Sequence, residues 1–143
     1  MRRSRVKRTA YVAALCAFAV AAGCGDDDDV NNNADNYDGT EAEVASVVDD
    51  FANAGRDGDG TKICEDIFST ELADNIERES GQSCPSEVED NLPEGEYELE
   101  IDTLAVDGDT ATAAVTDQED NSSVLHVDKV DDVWRVARVT PAE

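Results

Sequence analysis

The sequence predicts an α+β fold, with about three helices followed by a curved four-stranded antiparallel meander over residues 40–143. Two patterns predict it. Apolar residues recur at helical spacing from Val44 to Leu92, and from Glu96 onward the period drops to two. A third observation bounds the domain. Residues 1–39 lack either period and fall into a basic stretch, an uncharged apolar run and an acidic polar run.

Residues 1–8 (MRRSRVKR) hold five bases and no acid, and residues 9–23 (TAYVAALCAFAVAAG) hold no charge. A cationic start ahead of an apolar run is the pattern of an export signal, whose charge keeps the first residues on the cytoplasmic side. The run is shorter than the ~20 residues a spanning helix needs, and it stops at Asp26–Asp29. A cleaved signal over residues 1–23 is therefore expected. Ala21-Ala22-Gly23-Cys24 closes the run and resembles the lipobox of bacterial lipoproteins. Gly23 and Ala22 match that pattern, while Ala21 stands where Leu or Val is usual. The resemblance implies acylation of the Cys24 thiol, cleavage before it, and a lipid anchor on the extracytoplasmic face of the cell membrane. The other reading is plain secretion after Ala19-Val20-Ala21. Cys16 leaves with the signal in either case.

Processing at Cys24 leaves 35 acids and six bases, a net charge of −29, and only Lys62 and Lys129 as lysines. Such a surface repels phosphate, which excludes nucleic acid as a partner. High-salt adaptation would account for it, but the solvated face of an exported domain is the plainer reading. Residues 25–39 (GDDDDVNNNADNYDG) have too little apolar surface to offset ordering, so residues 24–39 read as a lipid-attachment cysteine and a disordered acidic tether. A coil of that length spans on the order of 20 Å. Cation binding by Asp26–Asp29 would lack a fixed geometry.

Thr40-Glu41-Ala42-Glu43 has the form of a capping box. Val44, Val47, Val48 and Phe51 follow at i, i+3, i+4 and i+7, with Asp49, Asp50 and Asn53 on the polar face and Gly55 as the stop. Residues 55–60 (GRDGDG) partly match a calcium loop through Asp57, Asp59, Gly60 and Asp66. Gly55 cannot ligate at the first place and Lys62 replaces an apolar residue, so a polar turn is the reading. A second helix carries Ile63, Cys64, Ile67 and Phe68, extended by Leu72 and Ile76. Gly81-Gln82-Ser83 breaks it. A short third helix, capped by Ser83 or Cys84 with Pro85 in its first turn, carries Cys84, Val88 and Leu92 on one side and ends at Pro93 and Gly95.

Cys64 and Cys84 are the thiols left once Cys24 is acylated. Outside the cytoplasm they are expected to form a disulfide, which by loop entropy stabilises by ~3 kcal/mol. Zinc has no local His partner here, and a catalytic thiol has no evident base.

Tyr97, Leu99 and Ile101 alternate with acids in a first strand, and the alternation slips at Leu104 and Val106, as at a bulge. Asp107-Gly108-Asp109 makes a hairpin turn. Ala111, Ala113 and Val115 mark the second strand, residues 117–121 a polar turn, residues 122–130 the third strand, Asp131-Asp132 a turn, and residues 133–140 the fourth strand.

Helices first, a meander after, the Asp107-Gly108-Asp109-Thr110 hairpin and a closing Trp134–Ala137 strand together resemble one superfamily. It is the cone-shaped α+β roll of nuclear transport factor two, ketosteroid isomerase and scytalone dehydratase. That resemblance implies a pocket at the wide end of a curled sheet, which enzymatic members furnish with an acid or base. No catalytic motif carries over, and no cofactor or metal is implied. His126 is the sole histidine and lies opposite Leu125 and Val127. Tyr97 and Trp134 are candidates to line a pocket, and Asp102 or Asp128 would be a base with a raised pKa if buried. The expected function is a non-enzymatic envelope module that binds a small apolar ligand or another envelope protein. A cavity isomerase or dehydratase and a structural spacer are the alternatives.

Overall fold

The computed structural model describes residues 31–93 and 95–143, so the export signal, the lipobox and Asp26–Asp29 lie outside the described residues. A 3-10 turn, Asn33–Asn36, precedes helix α1, Gly39–Asp57. Helix α2, Gly60–Lys62, runs directly into a π-helical turn, Ile63–Ile67, followed by α3, Thr70–Ser80, and α4, Cys84–Asn91. Four strands close the chain: β1, Leu99–Asp107; β2, Thr110–Asp117; β3, Ser122–Val130; β4, Val133–Pro141. They form one antiparallel sheet in the order β1-β2-β3-β4. The α+β class and the four-stranded antiparallel sheet are as expected. No helix among the described residues is long and apolar enough to cross a membrane.

The core lies between α1 and one face of the sheet. Val44 and Val48 of α1 are fully buried, as are Ala113, Val127 and Val136 of the strands. Strand pairing explains which residues meet there. Val127 faces Val136 and Leu125 faces Ala113, so one face of the pleat is apolar from β2 to β4. The outer face carries Thr112, His126 and Arg138 as register partners.

Two register shifts interrupt the sheet. The β1–β2 register shifts between Ile101 and Thr103, just ahead of the slip expected from Leu104. A second shift, between His126 and Val127 opposite β4, had no sequence signal. Asp131 and Asp132 both take positive φ, 50° and 65°, the backbone of a type I′ turn, which Asp tolerates better than most residues.

Four expectations about the helices need correction. The capping box does not form: α1 opens at Gly39 without a side-chain cap. Glu43 instead accepts a hydrogen bond from the Trp134 indole at 3.1 Å, 91 residues away. Gly55 does not stop α1, which runs on to Asp57. Gly58, at φ 68°, takes the left-handed cap position, and Asp59 N–H bonds back to the Ala54 carbonyl. Gly55 is glycine for another reason: a Cβ there would overlap the Tyr97 ring.

The expected second helix is two elements. The chain leaves the π turn at Phe68 in an extended conformation and bridges Val136 of β4, with Ser69 N–H bonded to the Val136 carbonyl at 2.8 Å. Ser69 then caps α3 by accepting from Leu72 N–H at 3.1 Å. Arg135 holds the abandoned helix end, donating to the carbonyls of Glu65 and Asp66, both at 2.8 Å. Ser83 stands at the N-cap of α4, as expected, but its side chain makes no capping bond; the Glu77 carboxylate accepts from Cys84 N–H at 3.1 Å instead.

A fifth correction concerns the start of the domain. Residues 31–38 were expected to belong to a disordered tether, yet they pack on β1 and α1. The Asn31 carboxamide accepts from Leu99 N–H at 3.0 Å and donates to the Leu99 carbonyl at 2.6 Å. Asn33 accepts from Ile101 N–H at 3.1 Å and donates to the same carbonyl at 2.7 Å. Two side-chain amides thus stand in for the peptide groups of a missing edge strand. Asp49, assigned to the polar face of α1, is only 8% exposed beneath them. Its carboxylate accepts from the Asn33 and Ala34 backbone N–H groups at 3.0 and 2.9 Å, and from the Asn33 amide at 2.9 Å. Composition argued for disorder because it counts apolar surface. The segment orders instead through hydrogen bonds to the buried Asp49 carboxylate and to a strand edge, which leave none of these polar groups unpaired.

Candidate functional site

Cys64 and Cys84 form the expected disulfide, with Cα atoms 6.1 Å apart. It ties the π turn to the first turn of α4, and an apolar depression lies among α1, α3 and α4. Phe51 of α1, Phe68, Ile76 of α3, Val88 of α4, Leu92 and Tyr97 line about 280 Å³ there. The rings are mutually packed: Phe51 lies 5.4 Å from Phe68, and 6.0 Å from Tyr97 edge to face. Because Gly55 presents no side chain, the Cδ1–Cε1 edge of the Tyr97 ring packs directly against α1.

The polar groups of this site are engaged at its rim. The Asn91 amide donates to the Glu87 carboxylate at 2.9 Å, and Gln82 donates to its other oxygen at 3.1 Å. Burial, with a smaller contribution from the Asp117 charge, pushes the Tyr97 phenol up to about 12. Tyr97 is therefore neutral across the physiological range. At Asp117 burial opposes ionisation, but hydrogen bonds from the Asn121 and Glu119 backbone and the Asn121 amide outweigh it. They hold this carboxyl below the usual carboxylate range.

The expected site residues do not converge. Tyr97 lines the apolar depression, whereas Trp134, 5% exposed, borders a separate cleft of about 320 Å³ with Glu43, Asp50, Asp66, Lys129 and Asp132. The Lys129 ammonium lies 5.6 Å from the indole centroid, a cation–π contact. His126 borders a third, open cleft of about 640 Å³ between α3 and strands β2 to β4. Arg138 lies 3.4 Å from its Nδ1 and Thr140 Oγ1 3.4 Å from its Nε2. A guanidinium only donates, so in this contact Nδ1 stands as the acceptor.

The candidate bases are not buried. Asp102 is exposed and accepts from Thr116 Oγ1 at 2.7 Å, and Asp128 is half-buried on β3. Asp59, from the partial calcium motif, caps α2 by accepting from Lys62 N–H at 2.9 Å. Among the described residues no group of three or more His, Cys, Asp or Glu side chains is arranged to hold a metal ion.

Sequence reasoning assigned Phe51, Phe68, Ile76, Val88 and Leu92 to helix faces without placing them in a cavity. Their convergence depends on the break at Phe68, for which the run of apolar spacing gave no warning. No family model, no curated protein and no solved structure matches this chain.

Proposed function

We propose that this chain is an exported binding module of the cell envelope, anchored through a lipid on Cys24 at the extracytoplasmic face, that holds a small apolar ligand and performs no chemistry on it. The observation that carries this reading is the depression beside Tyr97. Its walls are aromatic and aliphatic, and its rim carboxylate is already bonded to amides. Pockets for small ligands combine apolar walls with few polar groups. Proton-transfer catalysis needs convergent acids and bases, and His126, Tyr97 and Trp134 line three different cavities. The finer fold, the cone-shaped roll of the nuclear transport factor two and ketosteroid isomerase group, belongs to the same proposal. Helices ahead of a four-stranded antiparallel meander support it.

The binding part is tested with the soluble Cys24→Ser form and a neutral fluorescent naphthylamine probe, which the protein's negative charge does not repel. Saturable uptake at one site, weakened about tenfold by Val88→Asp because a carboxylate then enters an apolar wall, is the expected result. Uptake that ignores Val88→Asp sinks the reading. For the anchor, the mass of protein extracted from membranes should correspond to a chain beginning at an acylated Cys24. A chain still beginning at Met1 removes that part of the proposal.

A further inference from the structure

Resting on that reading of Cys24 and of the depression, we infer that the ligand is an acyl chain of a lipid without net negative charge, taken from the bilayer that anchors the protein. The asparagine clamp holds the mouth of the depression close to that bilayer. Three observations lead there.

The first is position. Asn31 is bonded to both backbone groups of Leu99, two residues beyond Tyr97 in the wall of the depression. Seven residue steps separate Cys24 from Asn31, so in any conformation the lipidated residue lies within ~25 Å of the clamp. Were the chain first held at Gly39, where α1 begins, the reach would be roughly 50 Å. The clamp halves the reach, to less than the ~30 Å thickness of a hydrocarbon core.

The second is size. About 280 Å³ is just under the ~300 Å³ at which pockets begin to enclose a drug-sized ligand. The depression accommodates the end of a hydrocarbon chain and leaves the remainder outside, which suits a chain whose head stays with the membrane.

The third is charge. The lining residues include Glu87 and no Lys or Arg, and the Asp117 charge acts on Tyr97. An anionic headgroup would meet like charge and find no cation among these residues.

The test uses the full lipidated protein in phosphatidylcholine vesicles that contain a phosphatidylcholine with a photoactivatable diazirine in its acyl chain. Mass spectrometry then maps the cross-linked residues. Adducts should concentrate between Val88 and Tyr97. Val88→Asp should lower them about tenfold, since the chain would have to bury a carboxylate. Leu92→Asp, beyond the end of α4, serves if Val88→Asp does not fold. About twenty Gly and Ser residues inserted between Val30 and Asn31 should lower the yield about fivefold, as effective concentration falls with tether length. Diazirine phosphatidylglycerol should label several-fold less than the phosphatidylcholine probe.

Adducts scattered over the surface, or unchanged by the wall variant, by the insertion or by an anionic head, overturn the inference. If Cys24→Ser protein takes up the neutral probe while vesicles give no adducts, this inference falls and the binding reading stands. If neither occurs, both fall.

Discussion

The two edges of the sheet are closed by segments that precede it in the chain, but with different chemistry. At β1 the cover is made of side chains: the carboxamides of Asn31 and Asn33 take the backbone groups of Leu99 and Ile101, backed by the buried Asp49 carboxylate. At β4 the cover is main chain: Phe68 and Ser69 bridge Val136, Arg135 holds the carbonyls of the π turn, and the Cys64–Cys84 bond secures that turn from behind. An open edge invites pairing with another chain. The difference teaches that an edge can be closed by local polar residues or by a long-range fold. The first depends on charge and hydrogen bonds, the second on a covalent staple.

The largest expected effect comes from breaking the staple. Replacing Cys64 and Cys84 by Ala should cost about 3 kcal/mol in urea unfolding, from the closure of a loop about twenty residues long. Hydrogen exchange should show the loss first at Ser69, on the β4 side, with the Leu99 amide still protected. Asp49→Ala strikes the other edge. It removes the acceptor of two backbone N–H groups and should cost about 2–3 kcal/mol, exposing the Leu99 and Ile101 amides while Ser69 stays protected. Equal deprotection at both edges in either variant would mean that the two closures are one cooperative unit.

Gly55→Ala acts between the edges. Its methyl would displace the Tyr97 ring, and overpacking of this kind costs about 1–3 kcal/mol. The apolar depression should change shape, visible as altered probe uptake. Ser69→Ala should cost about 1 kcal/mol, the usual worth of a lost N-cap.

The smallest effects lie at the extremes of pH. Tyr97 has a folded pKa raised to about 12 from 10.0. Its contribution is therefore complete below about pH 10 and lost as pH rises through about 12. A phenolate absorbance step near pH 12 should vanish in Tyr97→Phe. Asp117 works in the opposite direction. Its lowered pKa means a contribution present above the unfolded value and lost as pH falls through the folded one, so Asp117→Asn should flatten the acid limb of stability.

Particular residues mark where sequence reasoning succeeded and where it stopped. The helical spacing of Val44, Val48 and Phe51 located α1 because burial selects one side of a helix. The Asp107-Gly108-Asp109 and Asp131-Asp132 turns were legible because their backbone demands specific residues. Asn31 and Asn33 were misread, since composition places an Asn-rich run with tethers. Their spacing of two, matching the strand they complete, was the available signal. Asp49 looked solvated because helical spacing says which face is polar, not what covers it. The break at Phe68 was hidden within a continuous apolar period, and Arg135, which holds it open, lies 67 residues downstream.

By itself the sequence determined the α+β class with its four-stranded antiparallel sheet, the pairing of two cysteines and the acidity of the surface. These depend on neighbours in the chain or on counting. Only the tertiary structure decided what Gly55 accommodates, what Asp49 binds and that Tyr97 and Trp134 border separate cavities. Each of those outcomes depends on contacts between residues far apart in the chain, and local period and propensity carry no information about such contacts.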